Sequence, residues 1–319
     1  HNAATGREAA MPHVIARASG PARRATVVGA GPAGLEAARA LAERGHEVTL
    51  IEAADQPGGQ VRLIAGVPRR REMIGIVDWR MERLTALGAR LRFNTYAEAA
   101  DVLEERPDLV IVATGGLPET ERIAGRPLPG AEHVVSGWDI LSGDVAPAET
   151  VLLFDDWAGH AGLTAAEKIA LSGARLEIVT PERFFAADVG GLNHAAYART
   201  FHERGVRLTI NERLLGVARE GNRLIAEIGS DHSERRERRA VDQVVVEHGS
   251  RPLDELYFAL KPGSRNLGAV DHAALLAGRP QAAAANPEGA YQLFRIGDAV
   301  SPRNIHAAVY DALRLCKDV

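Results

Sequence analysis

Cysteine is almost absent. The single Cys316 in 319 residues excludes a disulfide framework, a Cys-x-x-Cys redox pair and a cysteine-ligated metal cluster within this chain. An excess of one charge is also lacking. With 38 Lys and Arg against 42 Asp and Glu, the net charge is −4, which gives no electrostatic case for nucleic acid or an anionic membrane as partner. No apolar run approaches the roughly 18 residues of a membrane span, and nothing resembles a secretory signal. The expectation is a soluble, cytoplasmic protein. What is present is ordinary: 46% hydrophobic and 25% charged residues, in a chain long enough for two domains with separate cores.

Residues 1–22 have no sustained period and read as a lead-in. From Ala25 the pattern becomes strand, Gly-rich turn, helix, strand: "ATVVGAGPAGLEAARALAERGHEVTLIE". Ala25–Val28 is short, β-branched and bounded by glycine, as a buried parallel strand should be. Leu35, Ala38 and Leu41 fall at helical spacing, and Gly45 stands where a helix ends. A helix over about Glu72–Leu87 follows, then strands near Arg90–Phe93 and Asp108–Thr114. The alternation predicts an α/β fold with a doubly wound sheet. "SDHSERRERR" reads as a solvated edge of a strand meander, because acids interrupt its bases and no aromatics interleave.

A second copy of the opening unit begins near Val151. With Gly162 set on Gly34, Gly159 falls on Gly31, Leu163 on Leu35, Ile169 on Leu41, Gly173 on Gly45 and Ile178 on Leu50. The result is a repeated βαβ unit with a longer turn in the second copy. A helix over Gly191–Arg204 and a strand at Val206–Ile210 follow it.

In the first copy, Gly29, Gly31 and Gly34 form G-x-G-x-x-G between strand and helix. Gly29 permits the tight turn, Gly31 lets a pyrophosphate approach the backbone, and Gly34 lets helix and strand pack closely. The helix that opens with Pro32 and Ala33 offers N–H groups and partial positive charge to phosphates. Glu52 ends the next strand, where an acid accepts hydrogen bonds from ribose hydroxyls.

"GAGPAGLEAA", "IEAADQPGGQVR", "VIVATG" and the late "FRIGDA" resemble, in that order, the flavoproteins with two dinucleotide-binding domains. "HNAATGRE", "AGHAGLTAAEKIALSGARLEIVTP" and "IGDAVSPRNIHAAVYDALRLCKD" are similar to the 2,4-dienoyl-CoA reductase and trimethylamine dehydrogenase family of NADH:flavin oxidoreductases, and within it to N-methylproline (stachydrine) demethylase-type members. The resemblance implies two Rossmann-like domains of the pyridine-nucleotide-disulfide-oxidoreductase type, the second inserted in the first. The FAD-binding domain would be 23–145 plus 251–319 and the NAD(P)-type domain 146–250. It implies FAD at the first loop, with Glu52, Gly59, Gln60, Arg62, Ala97, Thr114, Gly115, Gly297 and Asp298 around it. A helix starting near Asn304–Ile305 would aim its N-terminus at the flavin, favouring the charge of the reduced form. The family carries an N-terminal FMN-binding TIM barrel and an iron–sulfur cluster. Neither is in this sequence, so the chain is expected to be a piece of a longer enzyme that partners that barrel. No acid or base is assigned, since hydride transfer between nicotinamide and flavin needs positioning more than proton transfer.

The second loop departs from the pattern. Phe154 or Trp157 takes the first glycine's place, Asp155 and Asp156 add negative charge near a diphosphate, and Thr180 replaces the ribose acid. Gly159 and Gly162 remain at the helix start, His160 could reach a phosphate, and Gly249 lies in the segment "EHGSRP" that returns to the first domain. Two functional classes follow. One is a reductase module in which NAD(P)H reduces FAD; the other is a nucleotide-binding scaffold whose chemistry lies in the barrel. A thioredoxin-reductase-like enzyme would need the cysteine pair that is lacking.

Overall fold

Eighteen strands and helices carry the architecture, and they are numbered here in chain order. The computed structural model describes residues 2–319; His1 of the lead-in lies outside the described residues. The chain opens with β1 (Arg24–Val28), α1 (Pro32–Glu43), β2 (Glu47–Ile51), α2 (Gly75–Ala86), β3 (Arg90–Arg92) and β4 (Leu109–Val112). It continues with β5 (Val134–Ser136), β6 (Thr150–Asp155), α3 (His160–Leu171), β7 (Arg175–Val179), α4 (Gly191–Glu203) and β8 (Arg207–Thr209). Then come β9 (Arg213–Glu220), β10 (Arg223–Gly229), β11 (Arg236–Val241) and β12 (Gln243–Glu247), and finally β13 (Gln292–Arg295) and α5 (Ile305–Cys316). Two compact units result. One comprises the residues up to Arg62, Glu72–Leu117 and Arg251–Val319; the other comprises Leu63–Arg71 and Pro118–Ser250.

The first unit is a parallel sheet in the order β13-β4-β1-β2-β3. β4, "LVIV", is buried at every residue, as a central parallel strand covered on both faces must be. α1 is rich in alanine, so it lies close to the sheet, and Gly45 at φ +93° ends it in the left-handed conformation that glycine adopts without strain. The lead-in belongs to this unit despite its lack of period: Ala3, Ala4, Met11 and Ile15 are buried in the same core as α1 and α5.

The second unit has its own parallel sheet, β8-β7-β6-β12-β5. The strand order matches that of the first, with β6 in the place of β1 and β7 in that of β2. The fifth place is filled by β5, which precedes the βαβ unit in the chain. Because β5 pairs with β12, residues 118–145 go with the second unit, and the division falls at Leu117/Pro118 rather than at the expected 145/146. β9, β10 and β11 form the antiparallel meander, with the charged "RERRAV" strand at its edge. Among the described residues no helix is long and apolar enough to cross a membrane.

Under the first sheet lies a buried ion-pair group. Glu36 of α1 meets Arg39 at 2.6 Å and Arg80 of α2 at 2.8 Å, with all three side chains less than a tenth exposed. Burial pushes the Glu36 carboxyl up, but hydrogen bonds and charge from Arg39 and Arg80 outweigh it and hold the group below the ordinary value. Glu36→Ala leaves two guanidiniums without their shared partner and should cost about 3–5 kcal/mol in urea unfolding. Since the folded carboxyl is depressed, its contribution is full above the unfolded value and fades as pH falls through the folded one. A loss under about 1 kcal/mol would contradict this account of the network.

Candidate functional site

At the end of β1 the chain turns at Gly29, whose φ is +102°. A Cβ here would lie 2.3 Å from the Ala113 carbonyl oxygen beyond β4, and a Cβ at Gly34 would lie 1.8 Å from the Gly29 carbonyl oxygen. Only glycine fits either place. Gly31 is different, because a Cβ there meets nothing within 4 Å. Gly31 is also the N-cap of α1, no side chain caps that helix, and Pro32 at its first position has no N–H. The uncapped, positive end of α1 thus faces open space at the point where strand order reverses, between β1 and β4, which suits a diphosphate.

The flanking residues gather on this loop. Glu52, just past β2, accepts the Ala30 N–H at 2.6 Å and the Ala54 N–H at 2.9 Å. Gly58 N–H donates to the Ala30 carbonyl at 2.8 Å, and Gly59 comes close enough that its Cβ would touch Gly31 Cα at 3.5 Å. Gln60 Nε2 donates to Asp298 Oδ2 at 3.0 Å, and Asp298 Oδ1 accepts the Arg303 N–H at 3.1 Å. Gly297, at φ +62°, lies against Ala33 of α1; a Cβ there would be 2.8 Å from Ala33 Cβ. Asn304 caps α5, its Oδ1 accepting the Ala307 N–H at 2.9 Å, so Ile305 begins the helix.

The remaining predicted residues sit further out. Thr114 Oγ1 donates to the Leu253 carbonyl, and Gly115 turns at φ +75° with open space at its Cβ. Arg62 bonds Gln56 and folds over Gly58. Ala97 is a half-buried loop residue after β3 that packs against the cluster containing Val28 and Val112. Cys316 is buried in α5, where burial raises its thiol, so it has no reactive character. Among the described residues no group of three or more His, Cys, Asp or Glu is arranged to hold a metal ion.

The second loop has the same frame with different contents. Phe154 pairs with Val179 as Val28 pairs with Ile51. The residue in the first glycine's place is therefore Asp155, not Phe154 or Trp157; Phe154 is a fully buried core residue. β6 runs one residue further than β1, Asp155 staying in the ladder opposite Glu247. The turn is two residues longer and uses Ala158, at φ +54°, for its left-handed position. Asp155 Oδ1 accepts the N–H groups of Trp157 at 3.0 Å and Ala158 at 2.9 Å, and a Cβ at Gly162 would lie 2.6 Å from its carboxyl carbon. Asp156 Oδ1 meets His248 Nδ1 at 3.1 Å.

His160 is engaged within the unit as well. Its Nδ1 accepts from Arg70 Nη2 at 2.8 Å, and burial with the nearby Arg70 and Arg69 charges lowers its imidazole. Gly159 and Gly249 both face the indole of Trp157: a Cβ on either would lie 3.0 Å from the ring, at Cδ1 and Cε3 respectively. Glu247, His248 and Arg70 were not singled out from sequence. "EHGSRP" held a signal for the first two, but nothing local marked Arg70, which lies 90 residues before His160.

Two buried carboxyls dominate the electrostatics here. Burial, against two backbone hydrogen bonds, raises Asp155 to about 7. Burial and the Asp155 charge raise Glu247 to about 8. The folded state then holds protons that the unfolded state releases, so stability falls as pH rises from the ordinary carboxylate range to about 8. Asp155→Asn keeps the acceptor for the two N–H groups and removes the charge. It should raise the melting temperature more near pH 8.5 than near pH 5 in thermal melts followed by circular dichroism, because only part of the penalty has accrued at the lower pH; equal shifts at both would contradict the assignment.

Comparison with known proteins gives the family to which the chain is related. The family model for pyridine nucleotide-disulphide oxidoreductases matches residues 23–312. A probable N-methylproline demethylase of Rhizobium meliloti (strain 1021) is 56% identical over 319 residues, all of this chain and 46% of that protein. An N,N-dimethylglycine/sarcosine dehydrogenase of Chromohalobacter salexigens is 48% identical, covering 99% of this chain and 47% of its own length. A histamine dehydrogenase structure from Rhizobium sp. 4-9 superposes with a TM-score of 0.79 at 26% identity, over 94% of this chain and 44% of that one. The chain spans about half the length of the curated relatives it matches.

Proposed function

The chain belongs to the pyridine nucleotide-disulphide oxidoreductase family, and we propose that it is a flavoprotein module that binds FAD in its first unit and passes electrons between that flavin and the rest of a longer enzyme. The observation that carries this reading is the gathering of Gly59, Gln60 and Asp298 on the Gly29–Gly34 loop, with an uncapped helix end and an open Gly31. Relatives named as an N-methylproline demethylase and a dimethylglycine/sarcosine dehydrogenase favour amine demethylation as the activity of the longer enzyme. The FMN barrel and iron–sulfur cluster expected of that family would then lie in the part this chain does not span.

When bound, FAD would supply a two-electron carrier. The chain's own residues supply placement. The backbone at Gly31 and the N-terminus of α1 would hold the diphosphate, the Glu52 carboxylate would take ribose hydroxyls, and Asp298, oriented by Gln60 and the Arg303 N–H, would take the ribityl chain. The N-terminus of α5 would favour negative charge on the reduced isoalloxazine. A reductase version of this reading needs NAD(P)H at the second loop, supported by Gly159 and Gly162 at the start of α3. A dehydrogenase version takes its electrons from amine oxidation elsewhere in the enzyme, and the acid in the first-glycine position favours it. A nucleotide-binding scaffold would hold FAD or ADP without exchanging electrons with NAD(P)H or with the rest of the enzyme.

Purified protein supplemented with FAD should be yellow, release FAD on denaturation, and bleach and recover through a dithionite and air cycle. Gly31→Val should melt within a few degrees of the parent, because its side chain enters open space, while losing FAD at least about a hundredfold. A colourless parent protein, or a Gly31→Val protein that keeps its flavin, would count against the site.

A further inference from the structure

The two copies of the βαβ unit differ most where a ligand would have to enter. In the first, the direction of a Gly31 Cβ is empty. In the second, the corresponding direction at Gly159 is covered by the Trp157 indole, whose other ring edge reaches Gly249. The ring thus spans the two glycines that would otherwise border a dinucleotide. Beneath it, the Asp155 carboxyl accepts the loop's Trp157 and Ala158 N–H groups, donors of the kind a phosphate oxygen would use. Asp155 also occupies the space against Gly162 where, in the first copy, backbone packs directly on backbone.

We infer that the second unit is closed to NAD(P)H by its own chain, with the Asp155 carboxyl standing in for a phosphate and the Trp157 indole covering the approach to α3. The surroundings agree. Thr180, in the place of the ribose acid, is buried, and its hydroxyl accepts the Glu182 N–H at 3.3 Å. The recess beside the loop is lined by Asp156, Trp157, Ala158, Glu182, Ala187 and Asp188, so a diphosphate would meet three acids among its lining residues, with Arg213 acting on Asp156 from beyond them. Arg70, whose guanidinium meets His160 at the helix start, is held by His160 Nδ1 and the Tyr197 hydroxyl at 2.8 and 2.9 Å, its buried Nε being without a hydrogen-bond partner. The inference concerns the second loop alone and stands whether or not the first unit holds flavin.

The test is calorimetric titration of NADH and NADPH into Gly31→Val protein, in which the first loop is blocked. That background should show no saturable binding up to about 5 mM. Adding Trp157→Ala, or Asp155→Gly with Trp157→Ala, should bring the dissociation constant to about 0.5 mM or below, a gain of at least tenfold. Submillimolar binding in the Gly31→Val background would overturn the inference. So would continued silence in an Asp155→Gly, Trp157→Ala protein whose circular dichroism shows it folded, because the loop residues would then not be what closes the site. FAD binding by the parent is read separately, so a failure of the flavin reading leaves this result interpretable.

Discussion

Everything at the first site depends on one close approach, that of the Gly34 position in α1 to the Gly29 carbonyl oxygen, where a Cβ would stand at 1.8 Å. That contact sets the helix end directly above the strand end, so the positive pole of α1 points at the crevice between β1 and β4. Once the helix is so placed, Gly31 is left with nothing in front of it, and Glu52, Gly59 and Asp298 close around the same point. A larger residue at Gly29 or Gly34 would push helix from strand and misdirect all of them together. Gly31 is the exception, since a Cβ there would meet nothing within 4 Å and the fold does not require its smallness.

The second unit meets the same architectural demand by other means. It keeps the strand order, the helix length and the Gly162 contact, yet the group pressed against Gly162 is a side-chain carboxyl instead of a backbone carbonyl. Extending β6 by one residue and lengthening the turn by two gives Asp155 a ladder position opposite Glu247. The cost is two neighbouring buried acids and an alanine in the left-handed region, about 1–2 kcal/mol for the latter alone. Unequal loops on a duplicated fold would let one half of the chain hold the proposed cofactor while the other served as framework.

Much of this was legible in the sequence. The repeated βαβ unit, the three glycines and Glu52 follow from period and spacing, because a phosphate-binding turn tolerates few residue types at those places, whereas Asp298 was marked only by the resemblance to two-domain flavoproteins. The occupant of the first glycine's place in the second copy was not legible. Spacing alone cannot say where two extra turn residues go; the pairing of Phe154 with Val179 decides it. The docking of the lead-in was hidden for a related reason, since Ala3, Ala4, Met11 and Ile15 pack by tertiary contact and share no helical or strand period. The boundary at Leu117 also escaped, because β5 joins its sheet through β12, more than a hundred residues later.

The central claim is that two copies of one nucleotide-binding unit have opposite fates, one open and one filled by its own side chains. The most direct measurement is the number of adenine nucleotides held per chain. Protein incubated with excess FAD and NADH, freed of unbound ligand by gel filtration and denatured for chromatography, should yield about one FAD and no pyridine nucleotide per chain. Near-stoichiometric NADH alongside FAD, or NADH in place of FAD, would contradict it.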